Sequence, residues 1–134
     1  NEPVEYGKSE ILREGSEIAL VAVGNMVEET EKLYNRFLQE GRQVTFVNAR
    51  FIKPLDKEMI DHLAETHKLI VTIEEGILYG ALVEEYLESK ASDVKVLPIA
   101  IEDTFVRHGS VEELRKMLKI DAESIYRRIR DIME

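Results

Sequence analysis

The feature that most constrains this chain is an uninterrupted apolar run, Ile18-Ala19-Leu20-Val21-Ala22-Val23, closed by Gly24 and followed at once by a helical pattern. A strand with one wet face alternates apolar and polar residues. A run without polar residues must be covered on both sides, which is how a strand inside a parallel sheet reads. Asn25 with Glu28 then reads as a capping box. Val27, Thr30, Leu33, Tyr34, Phe37 and Leu38 fall on one helical stripe, and Gly41 stops it.

The same alternation repeats downstream. Val44-Thr45-Phe46-Val47 reads as a second strand. Pro54 breaks the chain, and Asp56 caps a helix through Thr66 with Met59, Ile60 and Leu63 inward. Leu69-Ile70-Val71-Thr72-Ile73 is a third strand, ending at Glu74-Glu75-Gly76. A helix follows over 78–90, with Leu82, Val83, Tyr86 and Leu87 apolar. A fourth strand spans 94–99, where Pro98 marks an end or an edge. Ser110 with Glu113 forms another capping box, and Asp121 caps a last helix carrying Ile125, Ile129 and Ile132. Strands and helices at this spacing predict βαβ units and a mostly parallel, three-layer α/β/α sheet. Residues 9–13 read as a short edge strand, which local spacing alone pairs with the run at 18–23 as a hairpin across Glu14-Gly15. Residues 1–8 read as the remnant of a linker and 9–134 as one domain.

Composition narrows the function. The 134 residues are 44% hydrophobic and 34% charged, enough to bury a core. The net charge of −9 repels phosphate backbones. The one dense basic spot, Arg127-Arg128-Ile129-Arg130, falls near the end of the last helix, where cations complement the helix dipole. No nucleic-acid partner is therefore expected. The apolar runs are too short to span a bilayer, so no membrane partner is expected either. The acidic, polar start carries no secretory signal. The absence of cysteine excludes disulfides, thiolate metal sites and cysteine nucleophiles, and it fits a reducing cytoplasm.

In an open α/β sheet, ligands and neighbours meet the carboxyl ends of the strands. Those ends are Gly24-Asn25-Met26, residues 48–54, Glu74-Glu75-Gly76-Ile77, and residues 101–109. A single glycine in the first loop is not the triple-glycine turn that cradles a dinucleotide. Glu74 and Glu75 are adjacent on a strand and point to opposite faces, so they do not form an acid/base pair; one of them is expected to pack against a cation. His62 and His67 are not at the i, i+4 spacing of two ligands on a helix and read as surface histidines. His108 stands in a loop before a capped helix and reads as a structural or interface residue. A receiver domain would need a phosphoacceptor aspartate at a strand end, where this chain has glutamates.

These loops resemble a known family. Val47-Asn48-Ala49-Arg50-Phe51-Ile52-Lys53-Pro54-Leu55-Asp56, Val71-Thr72-Ile73-Glu74-Glu75-Gly76, Asp103-Thr104-Phe105-Val106-Arg107-His108-Gly109-Ser110 and Leu118-Lys119-Ile120-Asp121, with Gly7-Lys8 and Arg13-Glu14-Gly15, are similar in order to the C-terminal domain of 1-deoxy-D-xylulose-5-phosphate synthases. The arginine-to-Pro-Leu-Asp pattern alone is shared with transketolases and oxo-acid dehydrogenase β subunits. Where that family carries a glycine-rich run after its Glu-Glu-Gly turn, this chain has the shorter Gly76-Ile77-Leu78-Tyr79-Gly80-Ala81.

The resemblance implies a five-stranded, mostly parallel sheet, with the strand near Ile11 antiparallel at an edge beside residues 44–47. It implies a homodimeric transferase that uses thiamine diphosphate and magnesium to join pyruvate and glyceraldehyde 3-phosphate with loss of carbon dioxide. The family's cofactor-binding motif, its activating glutamate and a phosphate-binding arginine lie upstream of the stretch matched here. The expectation is therefore a structural domain with no catalytic residue, cofactor or metal of its own, docking on upstream domains and supporting the dimer. Arg50, Lys53, Glu75, Arg107 and His108 are its interface candidates, and Arg50 is expected to pair with Glu75 or with a partner domain. The C-terminal domain of another transketolase or of an oxo-acid dehydrogenase β subunit, or a free-standing non-enzymatic binding module on the same fold, is the alternative.

Overall fold

The computed structural model describes residues 6–101 and 121–134. In chain order they form β1 (Glu10–Arg13), β2 (Glu17–Ala22), a 3-10 turn (Gly24–Met26), α1 (Val27–Gln39), β3 (Thr45–Asn48), α2 (Lys57–Thr66), β4 (His67–Glu75), α3 (Leu78–Ser89), β5 (Lys95–Ile101) and α4 (Ala122–Met133). The five strands make one sheet in the order β1-β3-β2-β4-β5. Strands β2 to β5 are parallel, and β1 lies antiparallel on β3. Pro98 sits in β5 at the sheet edge, where a missing N–H costs no ladder bond.

The hairpin between β1 and β2 does not form. Both edges of β2 are occupied, with Ala19 opposite Thr45 of β3 and Ile18 opposite Leu69 of β4. That leaves β1 the free edge of β3, with Ile11 opposite Val47. The turn between them is fitted to this route. Gly15 lies so close to β3 that a Cβ there would stand 2.3 Å from the Gln43 carbonyl oxygen. Its N–H donates to Thr45 Oγ1 at 3.0 Å, and the Ser16 N–H donates to the Gln43 carbonyl at 3.0 Å.

The path from β2 to β3 crosses the sheet one way, and the path through β4 to β5 runs the other. A constant crossover hand then requires α1 on the face opposite α2 and α3. The two cores show this. Ile18, Leu20 and Ala22 meet Leu33 and Phe37 of α1 and Ile125 and Ile129 of α4. Ala19, Val21 and Ile70 meet Ile60 and Leu63 of α2 and Val83 and Leu87 of α3. The apolar run at 18–23 is buried along its whole length, as a strand covered on both faces must be. On the first face Phe37 stacks edge-on against Tyr126 at 4.8 Å, and the Arg36 guanidinium lies 4.1 Å above the same ring while donating to Glu123.

Helix ends follow expectation at two places and depart from it at one. Asp56 accepts from the Met59 N–H at 3.1 Å and Asp121 from the Ser124 N–H at 2.9 Å, both as N-caps. Asn25 does not cap α1. It lies inside the 3-10 turn at φ −87° and ψ 19°, and Met26 takes the N-cap position without a side-chain bond. Gly24, at φ +64°, opens a 3-10 turn closed by the Met26 N–H on the Val23 carbonyl, which takes Asn25 inside the turn and away from the N-cap position. Leu38 and Ile132, assigned inward from the helical stripe, are instead 44% and 37% exposed at helix ends. In the basic cluster, Arg130 pairs with Glu134 and donates to the Tyr126 hydroxyl, and Arg127 pairs with Glu123.

Candidate functional site

The carboxyl rim of the sheet is built from the ends of β3, β2 and β4. Past β3 the Ala49 N–H donates to the Ala22 carbonyl, holding the loop against β2. Asn48 Oδ1 then accepts from the Arg50 N–H at 3.1 Å, and Arg50 is held at φ +57°, a left-handed conformation that costs a non-glycine residue about 1 kcal/mol. This bend aims the Arg50 guanidinium at Glu10 of β1, with which it pairs. Glu10 lies opposite Asn48 in the β1–β3 ladder, whereas β2 stands between β3 and the strand that ends at Glu75. The antiparallel docking of β1 thus gives Arg50 a nearer carboxylate than Glu75. Lys53 is exposed and precedes Pro54 through a cis peptide bond. Tyr6 lies edge-on to Phe51 at 5.4 Å.

The two glutamates at the end of β4 have opposite fates, as strand alternation requires. Glu75 is exposed, while Glu74 is buried at 3% exposure. Ile70, Thr72 and Glu74 share the face on which α3 packs. The partners of Glu74 are backbone amides and not a cation. Its two carboxylate oxygens accept from the Tyr79 and Gly80 N–H groups, each at 2.9 Å. It caps α3 from inside the sheet, where the helix dipole favours a negative charge. Gly80 makes room for this. A Cβ there would stand 2.9 Å from Pro98 Cβ and 3.0 Å from Thr72 Oγ1.

Tyr79, 1% exposed, puts its hydroxyl in the same core, and burial, reinforced by the charges of Asp56 and Glu74, drives its pKa well above the ordinary tyrosine range. It stays protonated at neutral pH and is no candidate base. This clamp escaped the sequence reading, although the parity of Ile70, Thr72 and Glu74 pointed to it.

At the opposite rim His62 is exposed, as expected, but His67 is half-buried and belongs to a polar chain. The Gly15 N–H donates to Thr45 Oγ1, so the Thr45 hydroxyl is free to donate to His67 Nε2 at 2.7 Å. His67 Nδ1–H then faces the Leu63 carbonyl at 3.1 Å and Thr66 Oγ1 at 2.8 Å. This order fixes the neutral Nδ1–H tautomer. Burial holds the His67 pKa below its ordinary 6.5, outweighing the opposing pull of the Leu63 carbonyl.

Arg107 and His108 lie outside the described residues. Among the described residues no group of three or more His, Asp or Glu side chains could hold a metal ion. A hard cation wants clustered oxygen donors, so these residues do not fit a magnesium–diphosphate site. No described helix is long and apolar enough to cross a membrane.

A mixed sheet in this order, with helices on both faces and a rim of caps and ion pairs, defines an α/β domain of the transketolase type. The chain belongs to the family described as "Transketolase, C-terminal domain", which it matches over residues 7–125. It is 41% identical to the 1-deoxy-D-xylulose-5-phosphate synthase of Lachnoclostridium phytofermentans over 92% of this chain and 20% of that protein. It is 39% identical to the synthase of Brevibacillus brevis over 95% of this chain and 21% of that protein. The chain thus spans about a fifth of the length of these relatives.

Among solved structures it resembles a split-gene transketolase in an inactive β4 tetramer, with a TM-score of 0.81 and 23% identity over 96% of this chain and 43% of that one. It also resembles the transketolase of Campylobacter jejuni, with a TM-score of 0.62 and 15% identity over 98% of this chain and 20% of that one. At those identities the likeness is one of fold.

Proposed function

We propose that this chain is the C-terminal domain of a thiamine-diphosphate-dependent 1-deoxy-D-xylulose-5-phosphate synthase, joining pyruvate and glyceraldehyde 3-phosphate with loss of carbon dioxide. The observation that carries the reading is near-complete coverage of this chain by synthases at 32–41% identity. Residues 9–134 act as the domain and 1–8 join it to what precedes. Its role is structural: it docks on the upstream domains and supports a cytoplasmic homodimer. Thiamine diphosphate and magnesium, when bound, supply the carbanion chemistry from those upstream domains. This domain contributes no catalytic residue. Its own side chains hold the rim rigid, through Glu74 on α3, Asp56 on α2 and Arg50 on Glu10. Arg50, Lys53, Glu75, Arg107 and His108 are the interface candidates.

The test is to express the full parent frame and the isolated domain side by side. The full chain should form deoxyxylulose phosphate from the two substrates with cofactor and magnesium, and the domain alone should not. A full chain that instead transfers ketol groups between sugar phosphates would place this domain in a transketolase and end the synthase reading.

A further inference from the structure

Two adjacent large apolar side chains, Ile77 and Leu78, are 73% and 46% exposed at the carboxyl rim. Single exposed apolar residues are ordinary, but a neighbouring pair on a turn marks a surface that something covers. The turn carrying them is fixed at both ends. The Gly76 N–H donates to the Ile101 carbonyl at 3.0 Å, and the buried Glu74 carboxylate holds the Tyr79 and Gly80 amides. A partner packing on this shelf therefore loses little free energy in ordering it.

A second observation concerns where the polypeptide arrives. Strand β1 runs antiparallel to β3 with Glu10 opposite Asn48, so the chain enters the sheet at the carboxyl rim. Tyr6, 75% exposed, lies against Phe51 there. The family is a C-terminal domain, and this chain spans about a fifth of its relatives' length. The greater part of such a parent chain precedes Tyr6 and reaches the domain on this side. Strands β3 and β2 separate β1 from β4, so the entry point and the shelf are three strand spacings, roughly 15 Å, apart. One domain footprint covers both.

From these observations we infer that the Ile77–Leu78 shelf is the docking surface for the preceding domain of the parent chain, an apolar patch of the same polypeptide, with Glu74 as the positioning residue that sets the shelf. The inference rests on the C-terminal-domain reading above.

The experiment uses the full-length parent chain with Ile77→p-benzoylphenylalanine, irradiated, digested and mapped by mass spectrometry. Cross-links to residues of the same chain N-terminal to Tyr6 are expected. Cross-links confined to residues 102–120, cross-links to a second copy, or none at all would overturn the proposal. In parallel, Ile77→Asp in the full chain should speed proteolytic cleavage ahead of residue 6 by roughly tenfold, the scale of one buried aliphatic contact. Leu38→Asp, on a leucine 44% exposed at the other rim, should leave cleavage unchanged. Equal cleavage of the two variants would also overturn it. A wild-type full chain without synthase activity would sink the enzyme reading alone, while the cross-link map would still judge the shelf.

Discussion

Helices α2 and α3 pack on the same face of the sheet and are tied together by Asp61, which accepts from the Tyr86 hydroxyl and pairs with Lys90; the hydroxyl, then the lysine, hold its carboxyl below the usual range. Their ends are closed by different means. Helix α2 is capped by its own chain neighbours: Asp56 immediately before it takes the Met59 amide, and His67 immediately after it meets the Leu63 carbonyl. Helix α3 begins without a local cap. Its first amides go to Glu74, five and six positions upstream and across a turn. It ends in a Schellman turn, with Ala91 forced to φ +52° where a glycine would be relaxed. A local cap needs only the right residue beside the helix. A remote cap needs the strand, the turn and the helix to be assembled first, so its loss is felt in the buried core and not at a solvated end.

The sharpest way to break this contrast is Glu74→Ala. It strips charge-assisted bonds from two buried amides and should cost about 3 kcal/mol in denaturant unfolding. A loss below about 1 kcal/mol would mean that solvent reaches those amides and that the remote cap is no different from a surface one. Asp56→Ala should cost less, about 1.5 kcal/mol, since its helix end can rehydrate. Part of that loss comes from the Ser9 N–H, which Asp56 also holds at 2.6 Å, so Ser9 should exchange its amide hydrogen faster in the variant. At the far end of α3, Ala91→Gly should add about 1 kcal/mol by relieving the left-handed strain. A melting temperature that fails to rise would show the strain to be absorbed elsewhere.

At the far end of α2 the contrast turns on protonation. The folded domain holds His67 neutral below its ordinary pKa of 6.5, so the unfolded chain takes up the proton first. The stability contributed by His67 is complete above about pH 6.5 and is lost as the pH falls below it. Urea midpoints measured from pH 7.5 to 5.5 should decline in the wild type and decline less in His67→Gln. The smallest effect belongs to Arg50→Ala. Its ion pair with Glu10 is partly exposed, so the variant should change stability by less than about 1 kcal/mol, and the positive φ stays as costly for alanine as for arginine. A larger loss would mark the Arg50 bend as part of the core of the rim.

Much of this was legible beforehand, and the reasons are local. Asp56 and Asp121 stand directly before their helices, so cap chemistry found them. The buried run at 18–23 lacked polar residues, so it had to be central. Pro98 had to mark a strand end or an edge, and β5 is an edge strand. Asn25 misled because its neighbour Gly24 allows a 3-10 turn that takes Asn25 inside it and leaves Met26 at the N-cap position. Helical periodicity also placed Leu38 and Ile132 inward, but a stripe carries no information on where the neighbouring layer stops, and both lie at helix ends beyond it.

Period and punctuation in the sequence determined the strands, the helices, their alternation and hence the layered parallel sheet. They also determined that Glu74 and Glu75 face opposite ways. What only the tertiary structure decided is which distant groups meet. Glu10 reaches Arg50 because β2 has both edges filled and sends β1 to β3. Thr45 reaches His67 because parallel strands β3 and β4 both flank β2 at the same rim. Glu74 finds the amides of α3 because a strand buried on both faces leaves a carboxylate at its end no water, only the helix above it. The first two are long-range pairings fixed by sheet order, and sheet order depends on which edges remain free once the first strands have paired; the third is short in sequence but needs strand, turn and helix assembled together.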